Sequence, residues 1–120
     1  MANILAVDDS NSMRKLLAQT LVDAGHKVTQ AQDGVEGLSI AQKGGFDLVI
    51  SDVNMPNMDG ITLVRKLRGL PAFRAVPILI LTTEMDPERK KQAKEAGATG
   101  WLVKPFNPDQ ILATIRKVVD

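Results

Sequence analysis

The sequence contains no cysteine among its 120 residues, which excludes disulfides and thiolate metal sites. It also has little net charge, +1 from 15 basic and 14 acidic residues. Binding to nucleic acid or to an anionic membrane surface needs a clustered positive field, which this balance does not predict. The single histidine, His26, follows Gly25 in a position typical of a surface loop, so zinc binding is not predicted either.

Long hydrophobic runs are absent as well. No stretch approaches the roughly 18 apolar residues of a membrane-spanning helix, and the N-terminus has no basic region followed by a long apolar one. We therefore expect a cytoplasmic protein without a signal peptide. The length and the apolar content of 44% predict a single globular domain over residues 1–120.

Four short apolar runs each end at a polar or charged residue. Each run has the length and composition of a buried strand. A charge placed at the end of such a strand costs free energy unless a neighbouring group makes use of it. The runs are Ile4–Val7 before Asp8 and Asp9, Leu48–Ile50 before Ser51 and Asp52, Ile78–Leu81 before Thr82 and Thr83, and Trp101–Val103 before Lys104.

Helical patterns alternate with these runs, and a weaker strand is predicted at Lys27–Ala31. Three helix starts carry recognisable capping sequences. They are Asp33-Gly34-Val35-Glu36, Asp86-Pro87 and Asn107-Pro108. The alternation predicts an α/β fold of five βα units, with a doubly wound parallel five-stranded sheet covered by helices on both faces.

The fourth predicted helix, from Asp86 to Gly97, differs from the others because it has only alanines to bury. One interpretation is a solvated helix that rests lightly on the sheet. The other is a partner-binding face that is thinly anchored so that it can shift. Both interpretations are compatible with the sequence.

The polar residues that follow the strands would meet at one edge, because ligands of an open parallel sheet bind beyond the carboxyl ends of its strands. Each has a structural alternative by itself; for example, either aspartate after the first strand could cap the next helix, as Ser10 could. Three carboxylates together call for a cation, and oxygen ligands favour Mg²⁺. The residues concerned are Asp8, Asp9, Asp52, Thr82 and Lys104.

A carboxylate surrounded by Mg²⁺, a lysine and a hydroxyl suits phosphoryl transfer to the carboxylate itself, here Asp52. An aspartyl phosphohydrolase is a competing interpretation, but that chemistry usually has a second carboxylate two residues later, where this sequence has Asn54. A flavodoxin-like cofactor binder is another. It would carry a Gly/Ser/Thr phosphate loop after the first strand, where Asp8 and Asp9 would repel a phosphate.

Taken together, the motifs resemble those of the receiver domain of two-component response regulators, specifically the single-domain chemotaxis (CheY-like) type. The resemblance covers the whole chain, and it implies a flavodoxin-like sheet of order 2-1-3-4-5. It also implies a switch that is activated by phosphorylation and is not an enzyme. The only reactions that such a protein would catalyse are the transfer of a phosphoryl group to itself and the loss of that group. The matching positions are Asp8-Asp9, Asp52 with Met55-Pro56 and Gly60, Thr82, and Lys104-Pro105.

By this resemblance, Asp52 accepts a phosphoryl group from a CheA-like histidine kinase. Mg²⁺ would be held by Asp8, Asp9, Asp52 and the backbone carbonyl of Asn54.

The resemblance also identifies residues that respond to the phosphoryl group. Thr82 and Lys104 would contact it, and Trp101 stands where the family has a rotamer-switching aromatic, usually Tyr or Phe. Two departures bear on that switch, since Trp is larger than the usual aromatic and Thr83 occupies a position that is usually small. The residues expected to tune the phosphoryl lifetime are Asn54, Thr83 and Glu84.

The implied output is a change in the surface formed by the fourth helix, the fifth strand and the fifth helix. A flagellar motor switch protein is the first candidate for binding there. A phosphate sink, or a regulator of a non-motility chemosensory-type pathway, is the alternative. We further expect a possible phosphatase partner, no nucleic acid or membrane partner, and a monomer.

Overall fold

The computed structural model describes residues 1–83 and 86–119. The strands are β1 (Asn3–Val7), β2 (Lys27–Ala31), β3 (Leu48–Ser51), β4 (Ile78–Thr82) and β5 (Gly100–Val103). The helices are α1 (Asn11–Asp23), α2 (Gly34–Ala41), α3 (Gly60–Arg68), α4 (Pro87–Ala96) and α5 (Pro108–Val119), and a 3-10 turn, Pro71–Phe73, precedes β4. All strand pairs are parallel, in the order β2-β1-β3-β4-β5, which confirms the predicted fold class.

Two apolar layers enclose the sheet, one with α2, α3 and α4 and the other with α1 and α5. Alternate strand residues enter opposite layers. In β4, Ile78 and Ile80 face the first layer and Leu79 and Leu81 face the second. Burial on both faces explains why these strands read as continuous apolar runs. In the described part of the chain, no helix has the length and apolar character needed to cross a membrane.

Helix α1 begins at a serine cap, which bears on the two aspartates before it. The side chain of Ser10 accepts a hydrogen bond from the backbone N–H of Met13 at 3.3 Å. Asp8 and Asp9 are therefore not needed as the helix cap. The predicted caps of α2, α4 and α5 are confirmed, since Asp33, Asp86 and Asn107 each accept a bond from a first-turn N–H.

Helix α4 packs thinly, as its sequence predicts. Among its residues, all of which are described, Ala93 alone is fully buried. Its C-terminal end is held more firmly, because the guanidinium of Arg68 donates two hydrogen bonds, of 3.0 and 2.9 Å, to the carbonyl of Gly97. The helix is thus fixed at its end near the amino edge of the sheet, while its body buries little apolar surface.

Candidate functional site

Three carboxylates converge at the carboxyl edge of the sheet. Asp8 and Asp9 follow β1, and Asp52 follows the neighbouring strand β3. Each residue offers an oxygen within 4.8 Å of the others. Asp8 is 2% exposed and Asp52 is 8% exposed, whereas Asp9 is open to solvent. The acidic cluster expected from the strand-end pattern is therefore present in the fold.

The ammonium group of Lys104 bridges two of these carboxylates. Its Nζ lies 2.7 Å from Oδ2 of Asp8 and 3.1 Å from Oδ2 of Asp52. Lys104 follows β5 and precedes Pro105 through a cis peptide bond. Its backbone N–H donates to the carbonyl of Thr82 at 2.9 Å. The side chain thus reaches from β5 past β4 to the ends of β3 and β1.

Further hydrogen bonds fix the orientation of the two buried carboxylates. Oδ1 of Asp8 accepts from the backbone N–H of Ser10 at 2.9 Å, and Oδ1 of Asp52 accepts from that of Val53 at 2.8 Å. Arg14 donates to the backbone carbonyl of Asp8 at 2.7 Å. Each carboxylate therefore turns one oxygen to the backbone and the other to Lys104.

The electrostatics of the site follow from burial and these pairings. Burial raises the pKa of Asp52, and the charge of Asp8 adds to this effect while Lys104 opposes it. Burial alone would lower the pKa of Lys104, but the hydrogen bond to Asp8 and the charges of both carboxylates raise it overall. Lys104 is consequently protonated at neutral pH. The site therefore combines three carboxyl groups with a single ammonium group.

The donor chemistry of this cluster fits Mg²⁺. Asp8, Asp9 and Asp52 provide only oxygen ligands, which suit a hard divalent cation that retains part of its water shell. Lys104 occupies one oxygen each of Asp8 and Asp52, and Asp9 is exposed to solvent.

Close contacts fix the loop between β3 and α3. A Cβ on Gly60 would lie 2.0 Å from the carbonyl oxygen of Asp52, so this approach of α3 to the strand end requires glycine. Asn57, at φ 70°, donates from its side chain to Oδ2 of Asp33 at 2.9 Å. These contacts position the loop that carries Asn54, whose predicted role as a carbonyl ligand stays a prediction.

The other predicted site residues lie on or beside β4 and β5. Thr82 ends β4 and is buried, and Thr83 is exposed. Glu84 lies outside the described residues. Trp101 pairs with Ile80 in the ladder and is half-buried against the layer of α2, α3 and α4. Residues paired across neighbouring strands share a face of the sheet, as do residues two apart along one strand. Trp101 is paired with Ile80 and Thr82 lies two residues after Ile80, so Thr82 and Trp101 project from the same face. Their predicted response to a phosphoryl group stays a prediction.

A groove of about 470 Å³ lies between α4 and β5. Trp101 and Ala93 contribute apolar surface to it, and Lys90, Lys91 and Lys94 line it from the helix. The face predicted to change on phosphorylation therefore combines an aromatic side chain with positive charge.

One residue at this edge was not predicted from the sequence. Arg89, in the first turn of α4, donates from Nη2 to Oδ1 of Asn54 at 3.2 Å, although the two residues are 35 positions apart. The one local signal is a basic residue in the first turn of a helix, where the helix dipole disfavours positive charge.

Comparison with known proteins agrees with this geometry. Residues 4–116 match the response regulator receiver domain model. Chemotaxis protein CheY-3 of Vibrio cholerae is 39% identical over 118 residues, which cover 98% of this chain and 88% of that protein. The structure of chemotaxis protein CheY4 of Vibrio cholerae matches with a TM-score of 0.94 and 53% identity over 98% of both chains. The receiver domain of a sensor histidine kinase from Pseudomonas aeruginosa matches with a TM-score of 0.92 and 25% identity, over 98% of this chain and 97% of that one. That structure has a magnesium ion coordinated in its active-site cleft.

These matches cover nearly the whole chain, and the structural match agrees with the observed fold and strand order. They confirm the resemblance inferred from the strand-end motifs. The chain therefore belongs to the family of response regulator receiver domains, the phosphorylation-activated signalling switches of two-component pathways.

Proposed function

We propose that residues 1–120 act as one chemotaxis-type receiver unit in which Asp52 accepts a phosphoryl group from a histidine kinase. The observation that carries this proposal is the position of Asp52, which lies 3.1 Å from the ammonium of Lys104 and within the cluster that also contains Asp8 and Asp9. A carboxylate in this setting is a nucleophile with positive charge next to the place where a phosphoryl group would bind.

In the proposed reaction, a carboxylate oxygen of Asp52 bonds to phosphorus. The bond between phosphorus and the imidazole nitrogen of the kinase's phosphohistidine breaks, and its electron pair returns to the imidazole. Lys104 is placed to stabilise negative charge on the equatorial oxygens. The hydroxyl of Thr82, at the end of the adjacent strand, would donate a hydrogen bond to one of them.

Mg²⁺ is the proposed cofactor. Support comes from the all-oxygen composition of the cluster and from the magnesium ion in the Pseudomonas receiver domain. Asp8, Asp9, Asp52 and the backbone carbonyl of Asn54 would hold the ion. When bound, it would supply charge that offsets the phosphoryl oxygens.

We propose that the protein transfers and loses its own phosphoryl group but turns over no external substrate. Asn54 stands two residues after Asp52, where a carboxylate acting as general acid and base would be expected in a phosphohydrolase. An amide cannot exchange protons in that way. Asn54, Thr83 and Glu84 would instead influence how long the phosphoryl group survives.

The proposed output is the surface formed by α4, β5 and α5. Phosphorylation adds roughly 1.5 to 2 negative charges at the strand end. Thr82 would move toward them and Trp101 would follow inward, which shifts the population of surface conformations. The lysine-lined groove beside Trp101 supports a role in binding a protein target.

The proposed partners are those of a chemotaxis pathway in the cytoplasm. A CheA-like histidine kinase would supply the phosphoryl group, a flagellar motor switch protein would receive the signal, and a phosphatase could remove the group. The similarity to the Vibrio cholerae chemotaxis proteins supports this assignment. The alternative output is a phosphate sink or a regulator of another chemosensory-type pathway, and in either case we propose a monomer.

Labelling by a small phosphodonor in the presence of Mg²⁺ tests the acceptor. We expect the parent protein to form an acyl phosphate, and Asp52→Asn to form none while keeping its circular dichroism spectrum. Asp109→Asn, which removes an exposed carboxylate on α5, is the matched control and should label normally. Retained labelling of Asp52→Asn would disprove the assignment.

The fluorescence of Trp101 tests coupling within the same molecule, because it is the sole tryptophan. We expect one change on addition of Mg²⁺ and a second with a beryllofluoride mimic of the phosphoryl group, the second being lost in Asp52→Asn. A response to Mg²⁺ alone would show that Trp101 or Thr83 uncouples the acceptor from β5.

A further inference from the structure

Arg89 joins α4 to the loop that follows the strand of the proposed acceptor. Its Nη2 donates to Oδ1 of Asn54 at 3.2 Å. The contact connects the first turn of α4 with the position two residues after Asp52. The helix at the proposed output surface thus has a direct polar contact with the proposed phosphorylation site.

The placement of Arg89 is unfavourable for a basic residue unless a specific contact offsets it. Peptide dipoles at the start of a helix favour negative charge. Glu88 and Lys90 on either side are exposed, whereas Arg89 is half-buried. Within the described ranges 1–83 and 86–119, the ion pairs all involve Lys104. The bond to Asn54 is therefore the contact that orders the guanidinium.

The bond also changes what the Asn54 side chain can do. A carbonyl oxygen engaged by a guanidinium is a weaker acceptor for a further hydrogen bond, because the cation withdraws electron density from it. A water that attacks phosphorus is oriented by hydrogen bonds to acceptors near the phosphoryl group. Engagement of Asn54 Oδ1 removes one acceptor from the loop beside Asp52.

We propose that Arg89 is a positioning residue that prolongs the life of the phosphoryl group on Asp52 by engaging the side-chain oxygen of Asn54. The inference rests on the proposed function of Asp52. In the reaction that is slowed, the water oxygen bonds to phosphorus, and the bond between phosphorus and Asp52 breaks. The carboxylate keeps the electron pair, and inorganic phosphate and a proton are released.

The test compares acyl-phosphate lifetimes at fixed Mg²⁺ after removal of the phosphodonor. Arg89→Met keeps an unbranched apolar side chain and removes the donors and the charge. We expect the lifetime to shorten by about threefold to tenfold, the effect of losing one hydrogen bond of ordinary strength. Arg89→Lys keeps a charged donor, so its acyl-phosphate lifetime should lie between those of Arg89→Met and the parent protein. Arg65→Met removes the same charge from an exposed position on α3, outside the groove between α4 and β5, and should leave the lifetime unchanged.

A double-mutant cycle distinguishes an effect through Asn54 from a general effect of charge. In the Asn54→Ala background, Arg89→Met should change the lifetime no further. An undiminished effect in that background would overturn the inference, as would equal lifetimes of Arg89→Met and the parent protein. A second readout needs no phosphorylation: the side-chain amide NMR signals of Asn54 should shift in Arg89→Met and stay in place in Arg65→Met.

The design separates failure of the inference from failure of the proposed function. If the parent protein forms no acyl phosphate on Asp52, the proposed function fails and the inference fails with it. If labelling at Asp52 occurs and the lifetimes do not respond to Arg89, the inference alone is wrong.

Discussion

The ammonium group of Lys104 lies closer to Asp8 than to Asp52, at 2.7 Å against 3.1 Å. Asp8 is also the more deeply buried carboxylate. The lysine therefore balances the charge of a predicted metal ligand at least as much as that of the predicted acceptor. A phosphoryl group on Asp52 would compete with Asp8 for the same ammonium.

Replacing Lys104 should strengthen Mg²⁺ binding. Lys104→Met leaves Asp8 and Asp52 without their ammonium partner, and it removes a positive charge that repels the incoming ion. We expect the affinity for Mg²⁺ to rise on the order of tenfold, while labelling by a phosphodonor falls. Titration calorimetry measures the affinity. Lys94→Met, an exposed lysine on α4, is the charge-matched control, and an unchanged or weaker affinity in Lys104→Met would contradict the expectation.

The acceptor itself should destabilise the metal-free fold. Burial raises the pKa of Asp52, which means that folding disfavours its ionised form. Asp52→Asn removes this charge, and Lys104 keeps its bond to Asp8. A gain of about 1 kcal/mol would raise Tm by about 4 °C in a domain of this size.

Thermal unfolding with and without Mg²⁺ measures this effect. Mg²⁺ should raise the Tm of the parent protein, because it binds the folded state, and should raise that of Asp52→Asn much less. Asp109→Asn, whose carboxylate is exposed and outside the cluster, should behave like the parent protein. A parent Tm that does not respond to Mg²⁺ would argue against the ion site.

The strand ends and the acidic cluster could be predicted from sequence because their signals are local. An apolar run such as Leu48–Ile50 marks a strand buried on both faces, and the residue after it must lie at the carboxyl edge. Parallel topology then brings Asp52 and Asp8 together, whatever their separation along the chain. Gly60 shows how strongly such a motif constrains the backbone. A Cβ at this position would lie 2.0 Å from the carbonyl oxygen of Asp52, so no other residue fits there.

Contacts made by long side chains between elements could not be predicted in the same way. The reach of Arg89 to Asn54 depends on how α4 sits over the loop after β3, and no local pattern encodes that. The preference of Lys104 for Asp8 is likewise a difference of 0.4 Å between two distances in the folded chain, 2.7 and 3.1 Å. Such features arise from packing, which determines which of several possible partners a flexible side chain meets.

The link between α2 and the loop after β3 should make stability depend on pH. Bonds from the backbone N–H of Glu36 and from the side chain of Asn57 lower the pKa of Asp33 below its ordinary 3.8. A lowered folded-state pKa contributes stability that is present above the unfolded value and is lost as the pH falls through the folded one. Asp33→Asn keeps a capping side chain but loses this contribution.

Urea unfolding at about pH 7 and at about pH 3 measures the Asp33 contribution. We expect Asp33→Asn to have a lower midpoint than the parent protein at the higher pH and a smaller deficit at the lower one. Asn57→Ala removes one of the two bonds to Asp33. In the Asn57→Ala background, the deficit caused by Asp33→Asn should therefore differ less between the two pH values, but the difference should not disappear. A deficit that is the same at both pH values would assign the effect to geometry rather than to charge.

Arg68 holds the amino edge of the domain together through hydrogen bonds that only a guanidinium can make at once. It donates to the carbonyls of Phe73, Val76 and Gly97, which lie after α3, before β4 and at the end of α4. Burial lowers its pKa, but it stays charged as arginines do. Arg68→Lys keeps the charge and loses the fork, leaving carbonyls without a donor.

We expect Arg68→Lys to cost about 2 kcal/mol, which would lower Tm by about 8 °C. The loss should also speed amide exchange in the last turn of α4, because the carbonyl of Gly97 loses both bonds from the guanidinium. Arg65→Lys, on the exposed face of the same helix, is the control and should change neither quantity measurably. If Tm falls while exchange in α4 stays slow, Arg68 acts through the Phe73 and Val76 carbonyls alone, and α4 owes its position to the packing of its buried alanine.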